Sequence, residues 1–314
     1  MMTIRPLVSG EIERFALVAG QPEHAQDVQQ YLERLLTDGY THLDWCFFLE
    51  EANQIVGTLA YWAFPSLQTP SDLVLFTIPW ERADYLTIGA HVLQEALKDM
   101  QARGASKAEH VLDIPSSAPQ WQRFPEKRRA LLEQVGFKML RETLRFAWQV
   151  GDSIPRVSER LAFRPLEEVG EAAFIEAIER ATVQTLDRRI LAEREEAGPT
   201  QHARDMFALL QRLGHAPGWW QLAYDQRGAL VGFVQPSANN TIGYIGVLPE
   251  QRGHGYIDDL LARGTATLTA AGASRIEADT DVGNAPMANA FRRAGWNQFG
   301  RRQDYSIDLA SLPR

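Results

Sequence analysis

The chain repeats itself once, and the repeat constrains the fold more than any other feature. Ile4-Arg5-Pro6-Leu7 resembles Phe163-Arg164-Pro165-Leu166. Ile55-Val56-Gly57 resembles Leu230-Val231-Gly232, and each follows a polar turn. Gly104-Ala105-Ser106-Lys107 resembles Gly272-Ala273-Ser274-Arg275, and Leu131–Phe137 resembles Ala290–Trp296. All four matches keep their order, which duplication of a domain explains and chance rarely produces. A length of 314 residues suits two domains of roughly 150 each. Gly151-Asp152-Ser153-Ile154-Pro155 is polar, carries Gly and Pro, and follows the apolar run Leu144–Trp148. It marks the boundary between domains of residues 1–150 and 156–314.

In the second half, residues 169–194 read as helix, with Phe174, Ile178, Ala181 and Thr185 at helical spacing. Pro199-Thr200 opens another helix, to Leu213. Residues 219–223 and 230–235 read as a hairpin around Asp225-Gln226-Arg227-Gly228. Strand 242–248, helix 255–271, strand 275–279, helix 286–294 and strand 301–309 follow. This order predicts a mixed α/β domain with one parallel crossover. The first half gives the same order with weaker signals.

The chemistry lies in Tyr244-Ile245-Gly246-Val247-Leu248-Pro249-Glu250-Gln251-Arg252-Gly253-His254-Gly255-Tyr256-Ile257. It reads as strand, proline, glycine loop and amphipathic helix. Gly253 and Gly255 let the backbone turn tightly and approach a ligand. The first-turn N–H groups have no intrahelical partners and carry the positive end of the helix dipole. A pyrophosphate suits such a site. The alternative for the glycines alone is a plain strand-to-helix turn.

Residues 247–255 resemble the acyl-CoA-binding motif of the GNAT acetyltransferase superfamily, V-x-P-x-x-R-G-x-G-x-[GA]. Asn284–Trp296 is similar to that family's N-x-x-A-x-x-x-Y-x-x-x-G-F segment. The resemblance covers residues 161–309 directly and, through the repeat, the first half. It implies an α/β mixed-sheet fold with two GNAT-like domains in tandem. It implies that backbone groups of Ile245, Gly246 and Val247 pair with the pantetheine arm of acetyl-CoA. It also implies that amides of Arg252, Gly253, His254, Gly255, Tyr256 and Ile257 hold the pyrophosphate and that Asn284 hydrogen-bonds near the pantetheine. Two positions depart from the pattern. Ile257 replaces a small residue, with its side chain expected against the sheet. Phe291 stands where the family often has a tyrosine that protonates the leaving thiolate. A CoA thiol with a pKa near roughly 8.5 leaves tolerably without that help.

An attacking amine must be neutral. At pH 7 an alkylamine is neutral on the order of once in a thousand, so a positioned base helps. Residues 240–244 carry no carboxylate. The next strand alternates Glu277, Asp279 and Asp281 onto one face. Asp281, nearest the cofactor end, and Tyr244, through a water, are the candidate catalytic residues. The alternatives are a solvated face or a helix cap for Asp281 and a core aromatic for Tyr244. The side chain of His254 is expected in solvent. One of Trp219 and Trp220 is expected inward and one outward. Asp187, Arg188, Arg189 and Glu193 lie where family acceptors bind, or on a solvated helix face.

The first-half loop Ile78–Leu86 keeps its proline and Arg82 but has Ala83 and Asp84 in place of the glycines. A carboxylate there repels phosphate, at ~4 kcal/mol for like charges 4 Å apart at a dielectric near 20. Residues 1–150 are therefore expected to be a degenerate GNAT-like domain that does not bind CoA. The expected activity is acetyl transfer from acetyl-CoA to the amine of a small molecule by direct attack in a ternary complex. Alternatives are an inactive acyl-CoA-binding sensor or partner subunit and a protein or peptide N-acetyltransferase.

A net charge of −8 argues against nucleic acid as a partner. No apolar run is long enough to span a membrane, and the N-terminus lacks a signal-peptide pattern. The single cysteine, Cys46, excludes an internal disulfide and reads as a small core residue, which suits the cytoplasm. The seven histidines show no metal-ligand spacing, so no metal is expected. The chain is expected as a monomer or a homodimer.

Overall fold

The computed structural model describes residues 2–153 and 158–311. The chain forms two compact units, Met1–Leu140 with Arg302–Arg314, and Arg141–Arg301. This redraws the division expected at residues 150 and 156. Strands β6 (Lys138–Gln149) and β12 (Asn297–Asp308), of 12 residues each, change unit part-way along. A strand of that length can hold two separate sets of pairs, so the change of unit falls inside it and not at the polar break. Ile154 and Pro155 of the expected linker lie outside the described residues.

The first unit runs β1 (Met2–Pro6), α1 (Ile12–Thr37), β2 (Cys46–Glu51), β3 (Gln54–Trp62), β4 (Asp72–Thr77), α2 (Tyr85–Ala102), β5 (Lys107–Ile114) and α3 (Pro125–Val135). Its sheet order is β1-β2-β3-β4-β5, closed by the C-terminal part of β12. Ala52 and Asn53 both have positive φ (50° and 63°), which makes the tight β2–β3 turn.

The second unit runs β7 (Ala162–Pro165), α4 (Leu166–Val169), α5 (Glu171–Ala181), α6 (Arg188–Ala197), α7 (Pro199–Arg212), β8 (Gln221–Tyr224), β9 (Leu230–Ser237), β10 (Thr241–Val247), α8 (Tyr256–Ala270), β11 (Arg275–Asp281) and α9 (Ala285–Arg293). Its sheet order is β7-β8-β9-β10-β11, closed by the β6 residues that pair with β11 from Thr143↔Asp281 to Gln149↔Arg275. Each unit thus repeats the same element order and takes its last strand from the other half of the sequence.

The single helix expected over residues 169–194 is broken. Thr182 ends α5, Gln184 turns with φ 53°, and the Asp187 carboxylate accepts the Ile190 N–H at 3.0 Å to cap α6. Helical spacing of apolar residues runs straight through this turn and hides it. The repeated glycines have a shared cause. A Cβ on Gly57 would lie 2.3 Å from the Thr77 carbonyl oxygen, and one on Gly232 would lie 2.1 Å from that of Gly246. No side chain fits where the two strands pass that closely.

Both faces of the second sheet are buried. Phe146, Trp148, Leu261, Ile276 and Phe291 pack on one face, against α8 and α9. Phe174, Phe207, Trp220 and Phe233 pack on the other, against α5 and α7. Trp220 is therefore the inward tryptophan, its indole N–H donating to the Pro236 carbonyl at 3.0 Å, while Trp219 is half-buried.

Cys46 is fully buried in the first unit, and burial pushes its thiol up to about 12. The native protein is expected to leave a thiol dye unreacted at pH 8, with one equivalent titrating after denaturation. Fast reaction of the folded chain would contradict this burial.

Candidate active site

Strands β10 and β11 pair only at Thr241↔Glu277. Beyond that point β10 keeps its antiparallel partner β9, through Val247↔Gly232, but among the described residues has no strand partner on its other side; the Val247 carbonyl accepts from Arg252 Nε at 3.3 Å. An extra residue, Gly243, shifts the register between Ile242 and Tyr244 and turns the strand away. The backbone of Ile245, Gly246 and Val247 thus borders a wedge between two parallel strands. Such an opening suits an extended chain carrying amides.

The wedge leads to the loop before α8. Pro249–Gln251 forms a single 3₁₀ turn, Gly253 and Gly255 take φ 82° and 74°, and Gly255 is the N-cap of α8. No side chain caps this helix, so its first N–H groups remain for a ligand. His254 is exposed, as expected, and Ile257 is only half-buried.

Arg252 has another task. Its guanidinium donates to the carbonyls of Ala181 and Val183, both at 2.9 Å, and of Gln184 at 3.4 Å. These are carbonyls at and just beyond the C-terminus of α5, where a cation is favoured. Arg252 therefore ties the loop to α5. Arg252→Met is expected to lower stability by about 1–2 kcal/mol, read as a lower urea midpoint with an unchanged slope. An unchanged midpoint would mean that these bonds contribute nothing net. Arg160 was not anticipated. It donates to the carbonyls of His254 (3.3 Å) and Gly255 (3.4 Å) and pairs with Asp259.

The Asn284 side chain accepts the Met287 N–H at 3.3 Å and so caps α9. Phe291 is 1 % exposed and stacks on Phe146 with centroids 4.9 Å apart. It is a core aromatic, and no proton donor stands at its position.

Asp281 is 1 % exposed, which removes the reading of a solvated face. One carboxylate oxygen accepts the Arg188 N–H at 2.9 Å, and the other, Oδ1, has no partner. Burial raises its pKa above the ordinary carboxylate value, and nearby Asp187 adds to the rise against the opposing Arg188 N–H. Tyr244 is half-buried, packs edge-on against Phe233 at 5.1 Å, and has its pKa raised by burial. Asp187 also pairs with Arg141 at 3.1 Å, and Arg189 with Glu193 at 2.9 Å. Asp279 and Glu277 share the face of Asp281, as alternation predicted, but Arg145 engages both, at 3.4 and 2.9 Å. Only Asp281 of the three keeps an unpaired oxygen. Thr143 and Gln235 on the sheet and His202 on α7 are buried polar residues that sequence reasoning gave no role. Ending β9 at Gln235 disguised it as a strand terminus, whereas the strand continues to Ser237.

In the first unit the corresponding wedge is filled. β4 and β5 pair only at Asp72↔Glu109. The Gln120 side chain accepts the Leu75 N–H at 3.0 Å, and Arg128 donates to the Phe76 carbonyl at 2.8 Å. Arg128 lies over the buried Trp80 ring at 4.6 Å, and Lys127 donates to the Trp80 carbonyl at 2.6 Å. The loop's Arg82 is held by Asp84 and Glu51. Among the described residues no cluster of His, Cys, Asp and Glu suits a metal ion, and no helix is long and apolar enough to cross a membrane.

Residues 183–296 match the family model described as Acetyltransferase (GNAT) family. The second unit is a GNAT-family domain. No curated protein sequence matches the chain. Among solved structures, a GCN5-related N-acetyltransferase from Sphaerobacter thermophilus superposes with a TM-score of 0.63 at 18% identity, over 98% of this chain and 96% of that one. A tandem GNAT protein from the clavulanic acid biosynthesis pathway gives 0.55 at 15% identity, over 100% of both chains. At these identities the likeness is one of fold, and it spans both units: the chain has the tandem GNAT fold.

Proposed function

We propose that the GNAT domain of the second unit binds acetyl-CoA and transfers its acetyl group to the amine of a small molecule. The observation that carries this reading is the unfilled β10–β11 wedge ending on an uncapped, doubly glycine-hinged helix N-terminus. Ile245, Gly246 and Val247 would meet the pantetheine amides, the amides from Arg252 to Ile257 the pyrophosphate, and Asn284 the cofactor through its side-chain N–H₂. The amine would come from the side bearing α5, α6 and α7. Its nitrogen attacks the thioester carbonyl carbon, the C–S bond breaks, CoA leaves as thiolate, and the amine proton passes to Asp281, directly or through a water near Tyr244. With a phenylalanine at position 291, the thiolate leaves without a protein acid.

The first unit would bind no CoA, because its own Gln120 and Arg128 occupy the backbone groups that a pantetheine would use. It would serve to support the working domain. Among the described residues no helix is long and apolar enough to cross a membrane, the net charge of −8 does not call for nucleic acid, and a buried free Cys46 suits the cytoplasm.

Calorimetry and melting with acetyl-CoA test the cofactor half of this proposal. One site per chain is expected, with about 2.7 kcal/mol of stabilisation at a hundred times Kd. Release of CoA thiol with an amine panel tests the transfer, and Cys46 should not disturb a thiol dye. Two sites per chain would refute the assignment of the first unit. Binding without release on any amine would favour an acyl-CoA-binding protein, the reading that buried Phe291 supports.

A further inference from the structure

Four polar side chains on four neighbouring strands share the face that carries α5, α6 and α7, as one pair on each side of the wedge. Gln235 on β9 is directly opposite Tyr244 on β10. Asp281 on β11 is directly opposite Thr143 on β6. The parallel pair Thr241↔Glu277, with the extra residue Gly243 on β10, brings residue 281 level with Gly246, two residues beyond Tyr244 on the same face. The face is fixed independently. Gln235 alternates with Phe233, which packs against α5, and Asp281 accepts from the first residue of α6.

Three of the four are both sealed from solvent and unpartnered. Gln235 is 0 % exposed, and neither its amide oxygen nor its amide nitrogen has a hydrogen-bond partner. Thr143 is 0 % exposed with an unpartnered hydroxyl, and Asp281 Oδ1 is unpartnered across from it. Buried polar atoms are rarely left so, and each needs an explanation. Tight packing alone would have favoured apolar residues at all three places, since an unmade buried hydrogen bond is costly. A bound molecule that completes them is a sufficient explanation, and the pattern states what it must offer. Asp281 Oδ1 accepts only. Thr143 can accept beside it. Gln235 requires both an acceptor and a donor.

Resting on the function proposed above, we infer that the acceptor is a hydroxylated amine, held with its ammonium between Asp281 and Thr143 and a hydroxyl at Gln235. One hydroxyl serves both amide atoms of Gln235, because it donates and accepts. A carboxylate cannot satisfy the amide oxygen, and an alkyl group satisfies neither atom. Gln235 and Asp281 are on strands two apart with the open wedge between them, so they are separated by more than the roughly 10 Å of two paired spacings, and the hydroxyl lies well away from the nitrogen, as across a sugar ring or a short chain of them. A hydroxyl lost from such a substrate strands buried partners and is discriminated strongly, whereas a lost methylene is not.

The test uses the full chain with acetyl-CoA and four acceptors: an aminohexose, cyclohexylamine, an α-amino acid and a short peptide. The expected result is kcat/KM at least 100-fold higher for the aminohexose than for cyclohexylamine. Gln235→Met and Thr143→Val should each raise KM for the aminohexose at least tenfold and leave KM for acetyl-CoA unmoved. Gln235→Met should also collapse the preference over cyclohexylamine. Both variants should melt no lower than the parent, because each removes an unpartnered buried group; a purely structural role would lower the melting temperature instead. Equal use of cyclohexylamine, preference for the amino acid or peptide, or an unchanged ratio in Gln235→Met would overturn the inference and leave the acetyl-CoA reading standing. Absence of any acetyl-CoA melting shift would remove the function proposed above, and this inference with it.

Discussion

Asp281→Asn is expected to lower amine-dependent turnover by about 10²–10⁴-fold while leaving acetyl-CoA binding in place and raising the melting temperature at neutral pH. Both effects come from one buried carboxylate. Burial lifts its folded pKa above the ordinary carboxylate value, and neighbouring Asp187 adds to the lift. The unfolded chain releases this proton near pH 3.9, and the folded chain holds it to higher pH. The stability contributed by that proton is complete below the unfolded pKa and is lost as pH rises through the folded pKa. At neutral pH the ionised group is therefore a burden on the fold, and asparagine removes the charge while keeping an oxygen for the Arg188 N–H. Activity has the opposite slope. Only the ionised carboxylate can hold an ammonium or take its proton, so the rate should fall on acidification through the raised pKa. The asparagine variant should lose that acid limb. Turnover within tenfold of the parent, or a lower melting temperature at neutral pH with a higher one in acid, would contradict the assignment. The trade is familiar at working sites, where a group is kept at a cost to the fold.

How much of this was legible in the sequence depends on the range of the forces involved. The repeat, the parallel crossover and the loop Arg252–Ile257 were readable because glycine freedom, alternation and helix starts are local properties. The face shared by Glu277, Asp279 and Asp281 was readable for the same reason. The pairing on that face was not. Which carboxylate keeps a free oxygen is decided by Arg145, 132 residues away from Glu277 in the chain. Thr143 opposes Asp281 only because part of β6 belongs to the second unit. A polar segment at Gly151 suggested a cut, but unit membership is set by which backbone groups pair. Arg252 was read as part of the anion loop, yet its side chain turns back to α5, a contact across 71 residues for Ala181. The expectation that the first unit binds no CoA rests on its missing glycines. The hydrogen bonds of Gln120 and Arg128 in its wedge are a second argument for it that local pattern could not show.

Gly255→Asp is expected to abolish acetyl-CoA binding in a chain that still folds. Gly255 is the N-cap of α8 with φ 74° and ψ 12°. Aspartate is among the few side chains that tolerate this left-handed region, and it is a preferred N-cap. There is room for it, since the nearest atom to an added Cβ is an Arg160 nitrogen at 4.0 Å. The new carboxylate would take the first-turn N–H groups for itself and meet the pyrophosphate as a like charge. Repulsion of ~4 kcal/mol at 4 Å and a dielectric near 20 corresponds to roughly 10³ in Kd, so the melting shift seen with the parent should vanish at the same ligand concentration. Asp84 is the N-cap of α2 in the first unit, but its φ is −92°, its carboxylate accepts from Arg82, and it takes no first-turn N–H. The reverse change is not expected to restore a site. Asp84→Gly removes the charge, but the Leu75 N–H and the Phe76 carbonyl stay bound to Gln120 and Arg128. Calorimetry should therefore still find one acetyl-CoA per chain in Asp84→Gly. A second site appearing there would mean that the carboxylate alone closed the first unit and that its filled wedge opens readily. An unchanged melting shift in Gly255→Asp would place the cofactor elsewhere than on α8, because no pyrophosphate can share that N-terminus with a fixed carboxylate.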